Sequence, residues 1–225
     1  MRTRRHRDKG FFITLEGPEG SGKSTQAVRL TAALKRASYS VVHTREPGGT
    51  PLAEAIRRVL LSASSHESVT AETEALLILA ARSQHVAHII MPALQRGQVV
   101  ICDRFSDSTF AYQGYGRDVN MQWLRTANDV ASGGISPDLT LLFDLPVSVG
   151  LARRRKARGK QNRLDRESQR FHRKVRRGFL ALARQAPRRI TVINATRRPE
   201  DITSTTLALV FNQLSRYRLV RKRKS

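Results

Sequence analysis

Apolar positions along the chain follow two rhythms: short continuous runs, and longer stretches where they recur every three or four residues. FFITLEG, residues 11–17, is a continuous run closed by glycine and predicts a buried strand. SGKSTQAVRLTAALKRA follows, with Ala27, Leu30, Leu34 and Ala37 at helical spacing. YSVVHTREPGGT predicts a second strand that breaks at Pro47 and the glycines behind it. LAEAIRRVLLS (52–62) predicts a helix. A long helix is predicted over 70–97, opened by a threonine cap with early glutamates and ended by Gly97. QVVICDRF (98–105) predicts a third strand, MQWLRTANDVASGG (121–134) a helix and PDLTLLFDLP (137–146) a fourth strand. Helices over 152–167 and 170–186, strand RITVINA (189–195) and a helix over about 199–214 complete the reading. Strands alternating with helices predict an α/β domain: a parallel sheet of about five strands flanked by helices. No internal repeat or low-complexity linker interrupts it.

The first strand-to-helix junction carries the first chemistry. GPEGSGKS places Gly17, Pro18, Glu19, Gly20, Ser21, Gly22, Lys23 and Ser24 in the pattern G-x-x-x-x-G-K-[ST]. The glycines let successive N–H groups turn toward phosphate oxygens, and the next helix aims its positive end at the same anion. Lys23 can bridge the β- and γ-phosphates, and Ser24 can ligate Mg²⁺. The pattern predicts a bound nucleotide. No guanine-reading NKxD follows any strand, which argues against a GTPase. At the end of the third strand stand Asp103 and Arg104. A strand-end acid can hold Mg²⁺, and the arginine beside it suits an acceptor phosphate. A local ion pair is the plainer alternative.

TREPGGT (44–50), DRFSDSTFAYQGYGR (103–117) and PDLTLLFDL (137–145), in this order behind the phosphate loop, resemble the signatures of bacterial thymidylate kinases. The resemblance spans about Phe12 to Leu209. It implies the P-loop kinase fold, phosphoryl transfer from MgATP to dTMP, a mobile lid and a homodimer. By the same resemblance, Arg45 and Arg104 clamp the dTMP phosphate, Arg82 contacts the base, and Thr109 and Gln113 reach the thymine edge. Tyr112 packs against the sugar, and Glu19 lies near the sugar 3′-OH and the metal. Three positions depart from the family. Ile78 stands where the family usually stacks a phenylalanine on thymine. Counting back from Phe171, the family's D-R-F-E-x-E falls on Asn162, Arg163, Leu164, Asp165 and Glu167, so Asn162 replaces an acid and Asp165 shortens one. Asn194 stands where aspartate is common.

Charge sharpens this picture. The 225 residues carry net charge +23, distributed unevenly. Up to Ala152 there are 17 basic and 14 acidic residues; from Arg153 onward, 24 basic and 4 acidic. The stretch ARRRKARGKQNRLDRE, 152–167, occupies the lid position. Because the phosphate loop contains no arginine, the resemblance implies that this lid supplies one to the transferring phosphoryl group. Arg153 and Arg158 are its best-placed candidates, alongside Lys23, Asp103 and Arg104. The remaining cations there read as a solvated face. Two rival readings stay open: a kinase for another nucleoside monophosphate, and a nucleic-acid-binding P-loop protein using the basic last third. The basic ends, residues 1–10 and 215–225, flank the domain and can bind polyanions weakly. No apolar run is long enough for a membrane span, no secretory signal is recognisable, and the lone Cys102 fits a reducing cytoplasm.

Overall fold

The computed structural model describes residues 10–62, 68–156 and 162–217. Five strands form one parallel sheet: β1 (Phe11–Glu16), β2 (Val41–Arg45), β3 (Val99–Asp103), β4 (Leu139–Asp144) and β5 (Ile190–Asn194). Their order is β2-β3-β1-β4-β5. All six residues of β1 are buried, as an apolar run in the centre of a doubly covered sheet requires. Its side chains alternate between two cores. Phe11, Ile13 and Leu15 pack with Leu30 and Leu34 of α1 (Lys23–Arg36) and with Val210 and Leu214 of α9 (Pro199–Tyr217). Phe12 points the other way, to Val86, Ile90, Val100 and Phe105.

On that second face, α2 (Pro51–Leu61) packs on α3 (Ala71–His85), and α3 packs on α6 (Met121–Ser132). The long helix predicted over 70–97 is present in three pieces. α3 is capped by Thr70, runs through a π-helical turn at Val86–Ile90 into α4 (Met91–Gln95), and stops at Gly97 with φ +71°. Behind β3, α5 (Ser106–Thr109) continues into a π-helical segment, Phe110–Gly116. That segment lies on α8 (Gln169–Gln185), where Phe171, Val175 and Phe179 form a third cluster with Tyr112.

Two expected boundaries move. The helix predicted over 152–167 is instead α7, Val147–Lys156, and only a single 3₁₀ turn, Leu164–Arg166, remains helical in the second half. Asn162 and Asp165 there exchange reciprocal side-chain-to-backbone hydrogen bonds of 2.9 and 3.0 Å, which close a turn, while Ser168 caps α8 from the next position along. The final helix runs past Leu214 to Tyr217, whose ring packs edge-on against Phe11 at 4.8 Å. Both basic ends otherwise lie outside the described residues. No described helix is long and apolar enough to cross a membrane.

The parallel strands all deliver their carboxyl ends to one edge, where loops of an open α/β sheet build a site. There the phosphate loop meets α7 at close quarters. Gly20, with φ +69°, and Gly150 face each other: a Cβ on Gly20 would sit 2.1 Å from the Gly150 carbonyl oxygen, and one on Gly150 would sit 2.4 Å from that of Glu19. Backbone must move to admit either methyl. Gly150→Ala, unstrained in its own helix, is therefore expected to cost about 1–3 kcal/mol through overpacking. Thermal unfolding will show this as a Tm lowered by several degrees, at about 2–4 °C per kcal/mol for a chain of this size. An unchanged Tm would mean that the two backbones do not touch.

Candidate active site

Strand ends, the phosphate loop, α2, α3, the 106–116 helical segment and the 162–165 turn enclose one cavity of about 310 Å³. The residues that the resemblance assigned to substrate line it, Glu19, Arg45, Ile78, Arg82, Arg104, Thr109, Tyr112 and Gln113, as does Asp165 of the late motif. Gly20, Lys23, Ser24 and Asp103 line its phosphate-loop end.

The phosphate loop bends through glycines at left-handed φ, with Gly22 at +87° opening α1. Lys23 folds back over the loop, donating to the Pro18 carbonyl at 2.8 Å and to the Ser21 hydroxyl at 3.1 Å. Burial, and then the Arg104 charge, pull its ammonium down to about 8. Next to it, the Ser24 hydroxyl donates to the Asp103 carboxylate. These hard oxygen donors suit Mg²⁺, which takes few protein ligands and completes its shell with water and phosphate oxygens. Among the described residues there is no cluster of three or more His, Cys, Asp or Glu, and a site of that kind needs none. Glu19 is committed elsewhere: its carboxylate accepts from Arg104 and Tyr112 rather than from Ser24.

Arg104 stands at the centre. It adopts φ +71°, a left-handed conformation that costs a non-glycine residue about 1–3 kcal/mol. Its guanidinium donates to Glu19 at 2.8 Å, Ser108 at 3.0 Å, the Tyr112 hydroxyl at 3.2 Å and the Gly17 carbonyl at 3.3 Å. It also lies 5.0 Å from the Tyr112 ring centroid. Burial works against the Glu19 carboxylate, but Arg104, Lys23 and the Tyr112 hydroxyl outweigh it and hold the group below the usual carboxylate range. Under this layer, the fully buried Glu16 receives the Phe105 N–H at 2.7 Å and the Ser108 hydroxyl at 2.5 Å, which ties the β3 turn to β1. Burial and then the Asp107 charge push Glu16 up to about 8.

At the opposite wall, Arg45 is held bidentate by Glu54 at 2.8 Å, with half its side chain exposed toward the cavity mouth. Glu46 is buried and divides its oxygens between Arg82 Nε (2.8 Å) and His85 Nδ1 (3.0 Å). Arg82 also donates to Asn128 at 2.8 Å and lies against the Phe105 ring. With both partners buried, removing either half of the Arg82–Glu46 pair would strand a charge at a cost of about 3–5 kcal/mol.

Glu74, wholly buried, is a hub that the sequence did not reveal. It receives the Gln113 amide at 2.7 Å, Arg163 at 2.5 Å and Arg117 at 3.3 Å. Burial opposes its ionisation, and these donors overcome it, so its carboxyl is held below its usual range. A carboxylate only accepts, so it decides how the Gln113 amide is turned: Nε2 faces Glu74 and Oε1 is turned away from it. Oε1 and the Thr109 hydroxyl are both buried without a partner.

The lid arginines do not fall as the sequence suggested. Arg153 donates to the Ala195 carbonyl at 2.8 Å, behind β5, and does not line the cavity. Arg154 does, held bidentate by Asp165 at 2.8 and 3.0 Å. Arg158 lies outside the described residues. Asn162 and Leu164, two positions of the motif counted back from Phe171, join Asp165 in the wall. Arg57 of α2 also reaches the cavity, and nothing in its amphipathic helix had marked it out. Asn194 is spent locally on Thr196.

A sequence model of the thymidylate kinase family matches residues 15–205. A thymidylate kinase of Thermomicrobium roseum is 51% identical over 208 residues, covering 92% of this chain and 98% of its own length. One of Pseudomonas putida is 53% identical over 193 residues, covering 86% of this chain and 91% of its own length. The crystal structure of thymidylate kinase from Ehrlichia chaffeensis aligns with a TM-score of 0.73 at 33% identity, over 89% of this chain and 98% of that one. Sequence, fold and cavity agree: the chain belongs to the thymidylate kinase family.

Proposed function

We propose that this chain transfers the γ-phosphoryl group of ATP to dTMP, giving ADP and dTDP, with Mg²⁺ on the donor phosphates. One observation carries the acceptor assignment: Gln113 and Thr109, whose buried Oε1 and Oγ1 have no partner, line the same cavity as the arginines and the phosphate loop. An acceptor fixed in orientation by Glu74, beside a hydroxyl, matches the N3–H and O4 edge of thymine. Cytosine presents a lone pair at N3 and would leave Oε1 unmatched.

The chemistry is one of placement. An oxygen of the acceptor phosphate attacks the γ-phosphorus, and the bond to the β–γ bridging oxygen breaks, so the ADP oxygen carries away the electron pair. No side chain needs to take a proton, because the attacking group is already an anion. What must be overcome is repulsion between two anions. Lys23 and the loop amides hold the donor. Arg45 and Arg104 hold the acceptor phosphate, with Glu54 and Glu19 keeping both guanidinium groups in place beforehand. Arg154, carried by α7 and steadied by Asp165, supplies the positive charge that the phosphate loop lacks. Ser24 and Asp103 would hold Mg²⁺, which neutralises phosphate charge when bound. Tyr112, locked by Glu19 and Arg104, packs against the sugar.

The assembly proposed is a homodimer. It is supported by exposed apolar side chains on one helical layer: Leu52 and Val59 of α2, Leu76 of α3 and Val130 of α6, the last two exposed by 54% and 79%. Ile78 keeps a second reading in view, a looser choice of base, since an aliphatic wall replaces the expected ring.

Coupled ATP-consumption assays over dTMP, dUMP, dCMP and dGMP test the assignment, and preference for any acceptor other than dTMP would overturn it. Arg104→Ala is expected to lower kcat/KM for dTMP by about 10²–10³, the scale of one lost charge-stabilising donor, with ATP binding by calorimetry unchanged. Wild-type turnover in that variant would remove Arg104 from the acceptor clamp. Ile78→Phe is expected to tighten dTMP by about 1–3 kcal/mol of base stacking, read as KM reduced roughly 5- to 150-fold. The Lys23 shift sets a pH dependence. In the free enzyme its pKa is about 8, and bound phosphate raises it, so ATP binding takes up a proton above that pH. ATP affinity is therefore full below pH 8 and declines as pH rises through it. Calorimetry at pH 9 in buffers of different ionisation enthalpy should show proton uptake, and none would refute the shifted lysine.

A further inference from the structure

A second concentration of positive charge lies away from the active site, in the groove between α7 and α8. Its cavity, about 540 Å³, is lined by Ser148 near the start of α7 and by Arg170, Arg173, Arg176 and Arg177 of α8. No acidic and no aromatic side chain stands in its wall. Arg176 is held by Asp144 at 2.7 and 2.9 Å, and Arg173 donates to Gln169 at 3.0 Å. Arg170 and Arg177 have no hydrogen-bond or ion-pair partner among the described residues.

The charge continues past the groove. Arg170, Arg173, Arg177 and Arg184 are all exposed, and their spacings bring them to one face of α8. The 17-residue helix is about 25 Å long. Counter-charge that could silence this face is committed elsewhere: Asp165 to Arg154, Glu167 to Arg117, while Glu200 and Asp201 open α9. The opposite face of α8 carries Phe171, Val175 and Phe179 into the core, so the helix is rigidly presented.

We propose that this face of α8, with the groove at its α7 end, binds the phosphodiester backbone of nucleic acid without regard to sequence. From Arg170 to Arg184 the row is about 21 Å long, the rise of about six phosphates of one strand along the duplex axis. A single phosphate would occupy only part of the groove and leave Arg184 unused. A free nucleotide would find no aromatic surface for its base. The surface is independent of the kinase reading, since none of these arginines lines the active-site cavity. It also differs from binding by the basic ends, because it belongs to the folded body.

The test uses the full chain and a short fluorescent DNA duplex, followed by anisotropy between about 50 and 200 mM salt. The triple variant Arg170→Ala, Arg173→Ala, Arg177→Ala is expected to bind at least tenfold more weakly at low salt. Its slope of log K against log salt should be shallower by about 2–3, near 0.9 for each phosphate that the variant no longer neutralises. Its dTMP phosphorylation and Tm should match wild type. Lysine at the same three positions should restore binding. A variant with Arg221, Lys222, Arg223 and Lys224 changed to alanine should keep most of the affinity. Wild-type affinity and slope in the triple variant would overturn the proposal. So would loss of binding in the tail variant alone, or binding of inorganic polyphosphate with none of the duplex.

Discussion

The pairing of Arg104 with Glu19 is the constraint around which the site is arranged. Phosphoryl transfer between two nucleotides brings anions together, so the protein must concentrate cations where no substrate yet holds them. Burying Lys23 and Arg104 side by side is itself unfavourable: the lysine is pulled down to about 8 partly by its neighbour. Glu19 offsets this by accepting from Arg104 on one oxygen and from Tyr112 on the other. The arrangement demands a strained backbone at Arg104, φ +71°, and Glu16 anchors the turn that imposes it through Phe105 and Ser108. Strain, buried charge and a buried carboxylate all meet where segment 16–23 packs on segment 103–108, as they do where a site is preorganised.

A second layer connects that centre to the rest of the molecule. Glu74 ties Gln113 in the cavity wall to Arg163 in the 162–165 turn, and Arg163 also donates to the Leu60 carbonyl at the end of α2. One buried carboxylate thus sets the orientation of the Gln113 amide in the cavity wall and the seat of the segment that carries Asp165. Asp165 in turn holds Arg154. The substitution of asparagine at 162 is accommodated by the reciprocal bonds with Asp165, which need an amide or an acid but no net charge.

The sheet was legible because its strands are continuous apolar runs bounded by glycine, proline or charge, and because strands and helices alternate. The phosphate loop was legible because its chemistry depends on backbone, and glycine spacing writes backbone directly into sequence. Side-chain direction was not. Arg153 and Arg154 are adjacent in a run of like residues, and only the start of α7 at Val147 decides that one turns to Ala195 and the other to the cavity. Glu74 looked like one of several early glutamates on a helix, and Arg57 like one of two ordinary surface arginines. Nothing local distinguishes a solvated charge from one that a distant segment will cover.

The sequence by itself determined the α/β order, the phosphate loop, the acceptor signatures and the surplus of charge in the last third. These rest on periodicity, glycine spacing and composition, which are properties of short stretches. Tertiary structure decided which cations face substrate, which are neutralised and which are left free. Those outcomes depend on partners far apart in the chain, such as Glu19 with Arg104, Glu74 with Arg163 and Asp144 with Arg176. A charge acquires its role from the burial and counter-charge around it, and folding alone supplies both.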